Sequence, residues 1–173
     1  MTLTVRVGPE PGDLGTVLAM HGRVYAKEHG YDEGFEAHVA HGIAQFAAGL
    51  SAARAHAARP DAGWLWIAEH DDGEAVGSIA LTVEEPGVGQ IRWFLVAPGA
   101  RGGLGRRLLG AALDRARASG LKHVRLWTVD GLDAAARLYL EAGFRRTQDV
   151  PGHRFGHDLV EVRYDLDLTS SDL

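Results

Sequence analysis

Residues 91–109 read IRWFLVAPGARGGLGRRLL, and this stretch decides the fold. The apolar run Trp93 to Val96 predicts a strand that ends at Pro98, whose missing N–H stops strand pairing. Small residues follow at Gly99, Ala100, Gly102, Gly103 and Gly105, with Arg101 among them and Arg106 and Arg107 opening a helical pattern. Glycines let backbone N–H groups approach a ligand closely. The free N–H groups of a first helical turn point at an anion, and the helix dipole favours negative charge there. Nearby guanidinium groups add charge-assisted hydrogen bonds. Strand, glycine loop, helix start and clustered arginines together suit a bound pyrophosphate.

On the N-terminal side of this loop, Thr2 to Val7 alternates polar and apolar residues and predicts a short strand. Asp13 is placed to cap a helix through about Glu28, with Leu14, Val17, Leu18, Met20, His21 and Val24 inward. A second helix is expected from Glu33, on the spacing of Phe35, Val39, Ile43 and Phe46, with the alanine-rich segment 47–58 extending it toward Pro60. Three strands follow, Trp64–Ala68, Ala75–Glu85 and Gln90–Val96, joined by turns at 71–74 and 86–89. Beyond the loop come a helix to Ser119, a strand His123–Thr128, a short helix Asp133–Ala142, and strands 145–150 and 159–168. The order predicts an α/β (α+β) domain over 1–168, with a mixed, mostly antiparallel sheet of six to seven strands and four helices, and a fraying tail at 169–173.

The chain has 173 residues, 46% hydrophobic and 24% charged, which suits one globular domain. Its net charge of −5 gives no reason to expect nucleic acid as a partner. Without cysteine it has no disulfide, thiolate metal site or cysteine nucleophile. No apolar run reaches membrane-spanning length and MTLTVRVGPEPGD lacks a signal-peptide core, so a cytoplasmic protein without a membrane partner is expected. His153 and His157 have i, i+4 spacing, but Pro151, Gly152 and Gly156 argue against a helix there, and no metal site is expected.

The loop is not a Walker motif, since Gly105 is followed by Arg106 and Arg107. Nor is it a dinucleotide fingerprint, since Leu108 stands where a third glycine belongs and hairpins precede the loop. FLVAPGARGGLGRRLL, residues 94–109, resembles instead the acetyl-CoA pyrophosphate loop of the GNAT acetyltransferase superfamily. AARLYLEAGF, residues 135–144, resembles that family's A-x-x-x-Y-x-x-x-G-F segment. ARGGLGRRLL, LWT, LDAA, AGF and FGHDLVEVRYDLDL, with PGDLGTVLAMHGRVYAKEHGYDEGFEAHVA before them, look like the acetyltransferase half of bacterial MarR–GNAT fusion proteins. With no winged-helix domain ahead of it, this chain would be a free-standing relative. One departure stands out: the family places Arg or Gln three positions before the first glycine of G-x-G, where this chain has Ala100, with Arg101 two before Gly103.

The resemblance implies an acetyl-CoA-dependent N-acetyltransferase acting on a primary amine of a small molecule or protein by direct attack in a ternary complex. A non-catalytic acyl-CoA sensor is the alternative, because Gln90 stands where many relatives have a glutamate base. By the resemblance, Leu95, Val96 and Ala97 hold the pantetheine arm, and the Leu95 N–H faces the thioester carbonyl as an oxyanion donor. Arg101, Gly102, Gly103, Leu104, Gly105, Arg106 and Arg107 meet the pyrophosphate, with Asp130 and Ala135 also on the cofactor. Tyr139 serves the leaving thiolate, since a phenol can donate to sulfur. The base stays open among Glu84, Glu85, Glu69, His153 and His157, with Glu84 first. His21, Tyr25 and Glu28 fall at i, i+4 and i+7 on one face of the first helix, with His29 and Tyr31 close behind, and Tyr25, Glu28 and Tyr31 give the acceptor site an acidic, aromatic face suited to a cationic amine. Trp64, Trp66, Trp93 and Trp127 read as sheet packing. An exposed terminal strand at 159–168 offers an edge for a homodimer.

Overall fold

The structure, a computed structural model, describes residues 2–56, 62–100 and 102–169. The strands are β1 (Leu3–Gly8), β2 (Gly63–His70), β3 (Ala75–Glu85), β4 (Val88–Val96), β5 (His123–Val129), β6 (Arg145–Arg154) and β7 (His157–Asp167). The helices are α1 (Asp13–His29), α2 (Glu33–Ala55), α3 (Leu104–Ala118) and α4 (Asp133–Glu141). One seven-stranded sheet runs in the order β1-β2-β3-β4-β5-β7-β6, antiparallel except where β4 meets β5.

Alternation along the central strands divides the core. Leu65 and Ile67 of β2 and Ala80 of β3 join Val17 of α1 and Val39, Ile43 and Phe46 of α2 on one face. Trp66 and Ala68, Ile79 and Leu81 turn to the other face, against Leu104, Leu108, Ala112 and Leu113 of α3. A period of two thus buries both faces of the sheet, one under α1 and α2, the other under α3 and α4.

The parallel pairing of β4 and β5 lasts only from Val88↔His123 to Ile91↔Leu126. Beyond Ile91, β4 turns away. Its register with β3 jumps between Ser78↔Leu95 and Ala80↔Arg92, a bulge that contains Trp93. Trp93 has φ 45°, a left-handed conformation that is strained in a residue with a bulky side chain. The buried Ser78 Oγ donates to its carbonyl at 2.7 Å and holds the bulge.

Several expectations are corrected. Asp13 is the first residue of α1 and not its cap, which is Gly12. The Asp13 carboxylate instead accepts from Arg6 at 2.8 and 2.9 Å and from the Glu10 N–H at 2.7 Å, tying α1 to β1. The last two strands are longer than expected and form a tight hairpin whose turn residues Phe155 and Gly156 have φ 57° and 82°. Pro151 does not break β6 because β6 is an edge strand, where a missing N–H costs no ladder bond. β7 lies between β5 and β6, so residues 159–168 are not an edge. The expected end of α2 at 57–58, Arg101, and residues 170–173 of the tail lie outside the described residues.

Candidate active site

Two cavities open where β4 and β5 part. The first, about 580 Å³, lies at the glycine loop and is lined by Leu95, Val96, Gly102, Gly103, Gly105 and Arg106, with Ala135 of α4 opposite. The second, about 460 Å³, is aromatic: Tyr25, Tyr31, Phe35, Trp93, Trp127 and Phe155 are on its wall. The two share Tyr25, Phe94, Thr128, Leu132 and Tyr139, so they meet between the parted strands.

The glycine-loop cavity fits an extended phosphorylated ligand. Gly102 and Gly103 have φ 81° and 88°, and a Cβ on either would meet nothing within 4 Å, so the turn is open to an approaching group. Gly103 caps α3 with no side chain over its first N–H groups. The N–H of Arg107 is spent on Gly103 O at 3.0 Å, which leaves the turn before it facing the cavity. Gly105 serves packing: a Cβ there would sit 2.9 Å from Leu138 Cδ1 of α4. Arg106 lines the cavity and ion-pairs with Glu141.

Not every expected contact is brought there. Arg107 is exposed and outside the lining, and the Leu104 side chain is buried in the core. Ala97 N–H donates to Val76 O at 2.8 Å. Ladder alternation then gives Leu95, opposite Ser78, an N–H directed at β3, and turns the N–H groups of Phe94 and Val96 toward β5. The Leu95 N–H therefore does not face the opening, where it was expected; the N–H groups of Phe94 and Val96 do. Asp130 is held by Arg146 at 2.9 Å and lies off both walls.

Tyr139 is 5% exposed, at the meeting of the cavities, against Phe94, Phe144 and Tyr164. Burial, with Tyr25 and Tyr164 adding to it, holds its phenol well above the ordinary value, so it keeps its proton at neutral pH. Tyr25 is likewise pushed up to about 12, chiefly by burial. Its ring stacks with His21 and Tyr31 at 6.1 and 5.7 Å and packs on Phe35 at 4.5 Å. The hairpin turn closes the aromatic cavity: Asp32 N–H donates to Phe155 O at 3.1 Å, and His157 Nε2 bonds to Gly30 O at 2.9 Å.

None of the expected bases lines the aromatic cavity. Glu84 sits at the end of β3, 3.3 Å from Arg125 and 3.9 Å from Arg92, and a reoriented Gln90 amide donates to it at 3.2 Å. Glu85 lies 3.3 Å from Arg125, and Glu69 accepts from Arg6 at 3.0 Å. His153 lies on β6 beside Asp158, and His157 on β7 reaches Gly30, so neither is in a linking loop. Glu28 faces the glycine-loop cavity, apart from Tyr31 in the aromatic one. Trp127, expected as sheet packing, is 40% exposed on the aromatic wall. Sequence reasoning passed over Glu161, the carboxylate among the described residues of this wall; His21, expected on one helix face with Tyr25, lines it too. Glu161 fell inside the expected strand 159–168, but nothing in the sequence says that this strand borders the cavity.

A parted parallel strand pair, an uncapped glycine turn below it and a buried phenol between two cavities define an acyltransferase-type fold. The model of the acetyltransferase (GNAT) family matches residues 31–144, and the chain belongs to that family. It is 44% identical to a mycothiol acetyltransferase of Beutenbergia cavernae over 88 residues, covering 49% of this chain and 29% of that protein. It therefore spans less than a third of the length of that relative. The fold is similar to an acetyltransferase from Streptococcus agalactiae (TM-score 0.73, 20% identity, 96% of this chain and 98% of the other). It is equally similar to an N-acetyltransferase from Staphylococcus aureus (TM-score 0.73, 19% identity, 98% of this chain and 100% of the other). Among the described residues no helix is long and apolar enough to cross a membrane.

Proposed function

We propose that this protein transfers an acetyl group from acetyl-CoA to an amine. The observation that carries the reading is the meeting of the two cavities at a protonated, buried Tyr139. Acetyl-CoA supplies the acetyl group as an activated thioester. The turn Gly102–Gly105 and Arg106 hold the diphosphate through backbone N–H groups and a guanidinium. The N–H of Val96 takes the arm, and that of Phe94 faces the carbonyl oxygen as negative charge develops on it. Tyr139 donates its hydroxyl proton to the departing sulfur. Glu161, the carboxylate among the described residues of the aromatic wall, receives the proton lost by the amine and passes it to solvent.

Within the family we propose kinship with the acetyltransferase half of MarR–GNAT fusion proteins, supported by the segment FGHDLVEVRYDLDL at 155–168. Thiol release from acetyl-CoA, followed across a panel of amines, tests the activity. At least one amine is expected to stimulate release, and Tyr139→Phe to lower kcat by roughly a hundredfold. Release that no amine stimulates, with CoA still bound, would leave a non-catalytic acyl-CoA sensor instead.

A further inference from the structure

Two polar groups in the aromatic cavity are used neither by the fold nor by the transfer step. The first is His21. Its Nδ1 lies 2.8 Å from Val17 O, a carbonyl that can only accept, so Nδ1 carries the hydrogen and Nε2 a lone pair. His21 is 3% exposed and on the cavity wall, and its Nε2 is buried with no partner among the described residues. A buried acceptor left unmade costs about 1–3 kcal/mol, which a ligand N–H would recover.

The second is Arg92. Among the described residues, the charged side chains of this wall are Arg92, Arg154 and Glu161. Arg154 and Glu161 pair with each other, so their charges offset. Among the described residues Arg92 has a long ion pair only, 3.9 Å to Glu84, and Glu84 is shared with Arg125 and lies off the wall. The guanidinium lies 4.9 Å over the Trp93 ring and against α2, where a Cβ on Gly42 would come within 2.3 Å of its Nη2. Burial lowers its pKa, the mark of a cation short of partners.

The cavity thus presents an acceptor for an N–H, aromatic walls and an unmatched cation. We propose that it takes an acceptor with an amine, an aromatic body and a carboxylate, the amine donating to His21 Nε2 and the carboxylate pairing with Arg92. This rests on the acetyl-transfer reading and reverses the expectation of a cationic acceptor: a polyamine would meet a wall whose unmatched charge is positive.

The test compares phenylalanine, phenylalanine amide and spermidine as acceptors at saturating acetyl-CoA. Phenylalanine is expected to exceed the amide at least tenfold in kcat/KM and spermidine by more. Arg92→Gln is expected to bring the first ratio near one through KM, and His21→Phe to weaken both aromatic acceptors. An amide or spermidine used as well as phenylalanine would overturn the proposal. If no amine stimulates thiol release, calorimetry on the CoA-bound protein decides separately. Tighter binding of phenylalanine than of its amide would support this subsite although transfer fails, and equal or absent binding would overturn it.

Discussion

At the scale of single residues, burial sets the chemistry. His21 is pushed down to about 4 by burial, the backbone bond to Val17 only partly offsetting it. Its folded value lies below the unfolded one of about 6.5, so the folded protein binds fewer protons between the two. The stability from a neutral His21 is whole above about pH 6.5 and is lost as pH falls toward 4, at most about 3 kcal/mol. Urea unfolding at pH 7, 5.5 and 4.5 is expected to show that decline, and His21→Phe to flatten it; parallel curves would contradict the burial argument. Asp165 titrates lower. Burial opposes its charge, yet bonds from Arg163, Thr147 and His123 hold it at about 2, so its contribution is lost only below about pH 4. Tyr139 was legible from AARLYLEAGF, because a motif fixes both residue type and helix face. The Phe94 N–H was not, because the bulge at Trp93 decides which amides face the opening, and nothing in the spelling of FLVA reveals it.

Among the elements, the parting of β4 from β5 makes the site, and one buried hydroxyl secures it. Ser78→Ala removes the hydroxyl that donates to Trp93 O, at a cost of about 0.5–1.5 kcal/mol. The expected result is a lowered Tm with a larger fall in thiol release than the change in folded fraction explains. Unchanged activity at a temperature where the variant stays folded would show that the bulge positions nothing. The helices and central strands were readable because their apolar residues recur at 3.6 or 2.0 positions. The β6–β7 hairpin was not: Pro151 and Gly152 mark breaks in an interior strand, and only the sheet order, which places β6 at the edge, makes them harmless. That misreading hid the closing contact of Phe155 with Asp32.

For the whole molecule, seven strands carry helices on both faces, and the sheet divides at its parallel pair into β1–β4 and β5–β7. The proposed transfer requires this division to receive one ligand from the glycine turn and another from the aromatic cavity, with Tyr139 between them. A crystal structure of the protein with CoA tests it most directly. The diphosphate is expected on the turn from Gly102 to Arg106, the arm against Val96 and the thiol within hydrogen-bonding distance of the Tyr139 hydroxyl. CoA bound elsewhere, or with its thiol directed away from Tyr139, would contradict it.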